Sequence, residues 1–267
     1  GRMPVTEGLG LPLGYPSAWT CSQVVNDFYR VYKPKEWNKV KLLVLHGAAP
    51  SLVISKKPVR RLADLKGLTI RAPGVAGEII KALGGTPAPT PMMEVYDALA
   101  KGVNDGVYTP YETLKTFRFA EVVGYTTISW QVGNTYPFYL IMNKNKYNSL
   151  PDDLKILVNE LAGEFQEKYA LQWNEIDLVG KAFGAKKGVQ YIELSDAEAA
   201  AWKKAVEPVI DNYIKTMVGK GFPEAEVKGW IQFMRDRIAH YTKKQMEFKI
   251  PSATGPAGMR PEAYVLK

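Results

Sequence analysis

An arginine closes the short apolar run Leu68-Thr69-Ile70-Arg71, directly before Ala72-Pro73. A strand stopped by proline at that point would leave the arginine at its carboxyl end, where open α/β sheets bind ligands. The planar guanidinium fork suits a carboxylate, because two parallel charge-assisted hydrogen bonds fix its orientation. An arginine ending a strand also serves in surface ion pairs, and the spacing alone leaves both readings open. Other chemistry is scarce. The two histidines, His46 and His240, form no His-x-x-x-His pair, and the single cysteine forms no Cys-x-x-Cys, so no zinc site is expected. Glycine-rich phosphate loops and Gly-x-Ser-x-Gly are absent. Cys21 lies in a helical apolar pattern and reads as core rather than as a nucleophile paired with His46. No catalytic constellation and no cofactor are implied.

The elements that would position Arg71 alternate between strand and helix. Val24, Val25, Phe28 and Val31 recur at helical spacing over 18–32. Residues 40–45 and 52–55 are short apolar runs that read as strands. A strand at 68–71 leads to a helix over 75–83, closed by Gly84-Gly85. Residues 87–91 read as an extended linker, 94–101 as a short helix and 105–108 as a strand ending at Pro110. This alternation predicts an α/β fold. Residues 4–16, rich in Gly and Pro, read as loop.

From Pro151 the pattern changes. Leu154, Val158, Leu161, Phe165, Tyr169, Trp173 and Ile176 recur every three or four residues. Asp152 and Asp153 suit a helix N-terminus. A spine helix is expected from about Pro151 to Lys187; continuous to Phe183 it would already be ~50 Å long, longer than one lobe. Its apolar stripe would be its buried face, and Gly163 and Gly180 its weak points for a kink. Ser195-Asp196-Ala197-Glu198 resembles a capping box before another helix. The Pro/Gly-rich tail after 250 is expected to wrap the surface.

The chain has 267 residues, of which 46% are hydrophobic, enough for one large domain or two lobes. The net charge of +8 is spread in pairs such as Lys56-Lys57 and Lys186-Lys187, the pattern of a solvated surface rather than of a nucleic-acid stripe. No run is apolar and long enough for a transmembrane helix, and no signal peptide opens the sequence. With one cysteine no internal disulfide can form.

The decapeptide Asp64-Leu65-Lys66-Gly67-Leu68-Thr69-Ile70-Arg71-Ala72-Pro73 resembles a segment of the solute-binding subunits of tripartite ATP-independent periplasmic (TRAP) transporters, the DctP-type family. Further landmarks follow in order: Ala82-Leu83-Gly84-Gly85-Thr86-Pro87, Glu94-Val95-Tyr96-Asp97-Ala98-Leu99, Gly102-Val103-Asn104-Asp105-Gly106, Met142-Asn143-Lys144 and Ser149-Leu150-Pro151-Asp152-Asp153-Leu154. The resemblance covers about 1–192 and is looser over 195–240. It implies two α/β lobes joined by crossing strands and a long helix, with a ligand shut between them. It also implies a periplasmic location, no enzymatic activity and no cofactor, and delivery of a small organic acid to membrane permease subunits driven by an ion gradient. The expected boundaries are 1–48 for the remainder of lobe I, 49–130 mainly for lobe II, and 131–267 for the hinge strand, spine helix and C-terminal helices. The first seven residues match a point well inside the family's first lobe, so its opening strand-helix-strand is not in this sequence. A monomer is expected. The alternative is an α/β enzyme acting on a small organic acid.

By the same resemblance Arg71 matches the family's carboxylate-binding arginine, and Met92 falls where many members place an aromatic ring. Thr109 falls where sialic-acid and dicarboxylate members carry asparagine. A second arginine, common in dicarboxylate binders, would stand near 48–51; the sequence there is Ala48-Ala49-Pro50-Ser51. These departures favour a monocarboxylate with an apolar or aromatic body. Tyr15, Tyr108 and Tyr136 are candidate walls of the pocket, each equally able to be ordinary packing, and Asn134 joins Thr109 as a candidate hydrogen-bonding group.

Overall fold

Residues 3–261 are described in a computed structural model of the chain. The apolar runs become strands β1 (Val40–Gly47), β2 (Leu52–Ser55), β3 (Thr69–Arg71), β4 (Thr86–Ala88), β5 (Gly106–Thr109), β6 (Tyr125–Ile128), β7 (Pro137–Asn143) and β8 (Gln190–Glu193). The helices are α1 (Pro4–Glu7), α2 (Ala18–Tyr32), α3 (Val75–Ala82), α4 (Val95–Ala100), α5 (Thr113–Thr116), α6 (Lys144–Asn148), α7 (Asp152–Lys186), α8 (Asp196–Gly219) and α9 (Glu224–Glu247). The mixed α/β architecture expected from the alternation is present.

The strands form two sheets. β1 and β7 pair antiparallel in the smaller one. The larger has the order β4-β3-β5-β2-β6-β8, with β3 parallel to β4 and β5, and β2 antiparallel to β5 and β6. The chain passes from the small sheet to the large one after Gly47 and returns before Pro137. The central strands β2 and β5 are buried on both faces, and alternation sends successive side chains to two different clusters. Val53, Ile70 and Tyr108 face a cluster with Phe28 and Trp202, and Leu52, Ile54 and Val107 face a second cluster with Tyr111, Leu114 and Phe119.

Several local expectations are corrected. The region 4–16 contains a helical turn, α1, with Pro4 at its start; the Glu36 carboxylate accepts from the backbone N–H groups of Val5 and Thr6 at 3.1 and 2.6 Å. Those N–H groups have no helical partner at a helix start, so the carboxylate replaces one. The linker at 87–91 begins as β4, an edge strand where Pro87 is tolerated because its missing N–H faces outward. Only half of the capping box forms. Ser195 accepts from Glu198 N, but the Glu198 carboxylate accepts from Leu62 N at 3.1 Å, tying α8 to the segment before β3. The tail is partly buried. Thr254 Oγ1 donates to Pro16 O at 2.7 Å, and Asn174 on α7 donates to Pro251 O.

The spine helix is present and continuous over 35 residues, ~50 Å. It packs against β1 and α2 of the small-sheet region and against α5 beside the large sheet. Its buried face is not the predicted stripe. Leu154, Leu161 and Phe165 are exposed, while Ala170, Asn174, Asp177, Gly180 and Gly184 are buried. Gly180 is a close approach rather than a weak point: a Cβ there would meet the Tyr111 carbonyl and Glu112 Cα.

Candidate ligand-binding site

β3 and β5 run parallel, with Arg71 paired to Val107, so Arg71 and Thr109 reach the same edge of the large sheet. There they border a cavity of about 360 Å³ between the sheets. Ala48 and Tyr136 contribute from the two chain crossings, Phe138 from β7 and Trp173 from α7. Pro73, Met92, Pro110, Glu112 and Phe117 complete the wall.

Arg71 is the sole cation among the described residues that line this cavity. Its Nε donates to Thr90 O at 2.9 Å, which fixes the plane of the guanidinium. No carboxylate pairs with it among the described residues, so the surface ion pair that the sequence left open is absent. Burial pulls its pKa down from the ordinary arginine value, and the nearby Tyr136 phenol opposes that shift. A half-buried guanidinium without a counter-charge carries an uncompensated desolvation cost, which an incoming carboxylate would relieve. The Tyr136 hydroxyl is buried beside Asn134 and has no hydrogen-bond partner among the described residues.

Aromatic rings line the same cavity as the cation. The Phe138 and Trp173 rings stack at 5.0 Å, and His46 lies 5.6 Å from each and stacks on Tyr169 at 5.2 Å. Burial lowers the His46 pKa to about 4, so this ring is neutral at neutral pH and acts as one more aromatic plate. Glu112 is buried, and burial raises its pKa above the usual carboxylate range while a hydrogen bond from Thr116 Oγ1 opposes the shift. Asp177, behind it on α7, accepts from Glu112 N at 3.0 Å; burial raises its pKa to about 8.

Of the predicted residues, Arg71, Met92, Thr109 and Tyr136 line the cavity. Tyr108 does not. It precedes Thr109 on a strand, so its side chain takes the opposite face, and its hydroxyl donates to Val132 O at 2.9 Å in the core. Tyr15 is also core, with its hydroxyl 3.8 Å from Met234 Sδ on α9. Asn134 is buried behind Tyr136 and borders a neighbouring cleft with it. Sequence reasoning missed Glu112, Phe117 and Phe138, and took Trp173 for core. The one signal for Glu112 was its place just past Pro110, where the β5 strand has already delivered Thr109 to the cavity.

A family model described as bacterial extracellular solute-binding protein, family 7 (DctP) matches residues 18–216. The chain belongs to this family. A solute-binding protein of Roseobacter denitrificans is 28% identical over 83% of this chain and 69% of its own length. A TRAP periplasmic solute-binding protein from Desulfovibrio salexigens is 36% identical, with a TM-score of 0.77 over 88% of this chain and 73% of that one. A marine metagenome TRAP solute-binding protein, solved with 3-hydroxybenzoate and with metahydroxyphenylacetate, is 29% identical with a TM-score of 0.83 over 90% of this chain and 76% of that one. The chain spans about half the length of several other curated relatives, among them the 2,3-diketo-L-gulonate-binding periplasmic protein of Escherichia coli. Members of this TRAP family are solute-binding proteins, not enzymes, and the two-sheet fold with its long helix is theirs. Among the described residues no helix is long and apolar enough to cross a membrane.

Proposed function

We propose that this family 7 protein captures an aromatic monocarboxylate in the periplasm and delivers it, as a monomer, to the membrane permease subunits of an ion-gradient-driven TRAP transporter. One observation carries the ligand class: the Arg71 guanidinium, with no ion-pair partner among the described residues, borders a cavity walled mainly by Phe138, Trp173, Phe117, Tyr136 and Met92, with Thr109 and Glu112 its other polar side chains. The cation takes one carboxylate by its fork, and the rings take a flat apolar body. A second carboxylate would find no cation among the lining residues. The marine metagenome relative, with its aromatic acid ligands, supports this reading. A sugar acid like the E. coli relative's needs many more polar partners than Arg71, Thr109 and Glu112 supply.

Capture works by closure in this reading. The cavity borders both chain crossings and α7, so swinging one sheet toward the other encloses the ligand while α7 spans both sides. Calorimetry with benzoate against acetate and succinate tests the ligand class, with benzoate expected to bind tightest. Arg71→Ala is expected to lose on the order of 2–5 kcal/mol of affinity, and Arg71→Lys to bind poorly for want of the fork. Arg71→Ala binding within about threefold of the unaltered protein, on the same scale of charge-pair effects, sinks the assignment. Solution scattering tests closure: saturating ligand should reduce the radius of gyration.

A further inference from the structure

Glu112 is a carboxylate in a cavity built for a carboxylate ligand, and that conflict needs a resolution. The side chain is 8% exposed and borders the same space as Arg71, yet no ion pair joins the two. Thr116 Oγ1 donates to Oε2, and Oε1 has no hydrogen-bond partner among the described residues. Phe117, Phe138 and Trp173, which line the same cavity, offer rings. A ligand that satisfies only Arg71 would therefore leave Glu112 desolvated and half-bonded, which costs more than leaving it in water.

We propose that Glu112 is a specificity-determining residue that accepts a hydrogen bond from a hydroxyl or amino substituent on the ligand, so that the protein selects hydroxy- or amino-substituted aromatic acids over unsubstituted ones. The inference rests on the aromatic monocarboxylate reading and deepens it. The polar pair is set on separate supports, Arg71 at the end of β3 and Glu112 past the end of β5, so the two sites read different parts of one molecule. The second carboxyl holds Glu112 in place. Asp177 on α7 accepts from the Glu112 backbone N–H at 3.0 Å, so the chain that carries the Glu112 side chain is tied to the long helix beside the cavity.

The test is a calorimetric panel of benzoate, the 3- and 4-hydroxybenzoates, the 3- and 4-aminobenzoates and the matching methoxybenzoates, on the unaltered protein, Glu112→Gln and Glu112→Met. The methoxy compounds keep the bulk and remove the donor. At least one donor-bearing isomer is expected to bind roughly tenfold to hundredfold tighter than both benzoate and its methoxy counterpart, the range of a charge-assisted hydrogen bond. That ratio should shrink in Glu112→Gln and vanish in Glu112→Met. In both variants Thr116 Oγ1 keeps the Glu112-position carbonyl, 3.1 Å away, as its acceptor. An unaltered protein that binds benzoate as tightly as every donor-bearing isomer overturns the proposal on its own, whatever the variants do. So does a ratio preserved in both variants. Failure of every aromatic acid to bind overturns the ligand class and this inference together, whereas Arg71-dependent binding without donor preference overturns this inference alone.

Discussion

The two halves of α7 invert what their residue types suggest. The N-terminal half carries Leu154, Ile156, Leu157, Leu161 and Phe165, all at least two-fifths exposed. The C-terminal half buries Ala170, Asn174, Asp177, Gly180 and Gly184, none of them large and apolar. These five recur every three or four residues, so they form one face of the helix. That face lies against the backbone at 111–112, against Tyr191 and Leu114, and against the tail at Pro251. Close backbone contact needs small side chains, and the polar groups left inside need partners, which Asn174 and Asp177 find. Hydrophobic periodicity reports where apolar area could be buried; it is silent about a face that packs by proximity and hydrogen bonding.

The largest expected effect contrasts two glycines of one helix. A Cβ at Gly180 would collide with the Tyr111 carbonyl and Glu112 Cα, which are backbone and cannot turn aside, whereas one at Gly163 meets nothing within 4 Å. Gly180→Ala should therefore destabilise by on the order of 2–3 kcal/mol, because overpacking against fixed atoms outweighs the gain in helix propensity. Denaturant titration measures it. A stabilised Gly180→Ala would mean that the close packing of the C-terminal half does not hold in solution.

Next comes the buried carboxyl. Asp177→Ala removes the acceptor of Glu112 N–H and should cost about 1–3 kcal/mol. Asp177→Asn isolates the titration. The folded pKa of Asp177 is raised to about 8, above the unfolded carboxylate value, so the folded state holds a proton that the unfolded state releases. Stability must then fall as pH rises between about 4 and 8. His46 acts oppositely. Its folded pKa, about 4, lies below its unfolded value, so it makes stability rise from about pH 4 to 6.5. The His46 slope offsets the carboxyl slopes at acid pH, where the raised Glu112 carboxyl acts in the same direction as Asp177, and between about pH 6.5 and 8 the His46 slope is spent. Denaturation midpoints across that window should decline with pH in the unaltered protein and flatten in Asp177→Asn. In His46→Phe the decline should begin lower, near pH 4. An equal decline in Asp177→Asn would assign the slope to another group.

Much of the architecture was legible because it rests on local rules. Thr69–Arg71 is stopped by a proline, and α3 ends at Ala82, followed by Leu83 and by Gly84 in the left-handed region at φ +93°. The place of Arg71 at the cavity was legible because a strand stopped by a proline delivers its last residue to the carboxyl end of the sheet, although the spacing alone left a surface ion pair open. Tyr108 was misplaced because one-residue alternation, not residue type, decides which of two neighbours faces the cavity. Tyr15 was misplaced because its partner Met234 lies on α9, far along the chain. Glu112, Phe138 and Trp173 come from three separate segments, and only the folded chain brings them to one wall.

The smaller effects sharpen the other half of the helix. Gly163→Ala should stabilise by about 0.5–1 kcal/mol, the propensity difference at an unobstructed helical position. With Gly180→Ala this makes the same chemical change carry opposite signs within one helix.

The smallest effect is expected at Ile156, which is 59% exposed on the N-terminal half. Ile156→Gln removes apolar surface that is already largely wet and places a better helix former in a helix, so stability should move by no more than about 0.5 kcal/mol. The substitution discriminates because the neighbouring strand β7 is similarly open, with Tyr139, Leu140 and Ile141 exposed. If that surface is solvated as the structure has it, the denaturation midpoint of Ile156→Gln matches the unaltered protein at every protein concentration. A loss of about 2 kcal/mol or more has the size of a buried side chain rather than an exposed one. It would mean that this half of α7 is covered in solution, and the contrast between the two halves would then belong to an isolated chain rather than to the working protein.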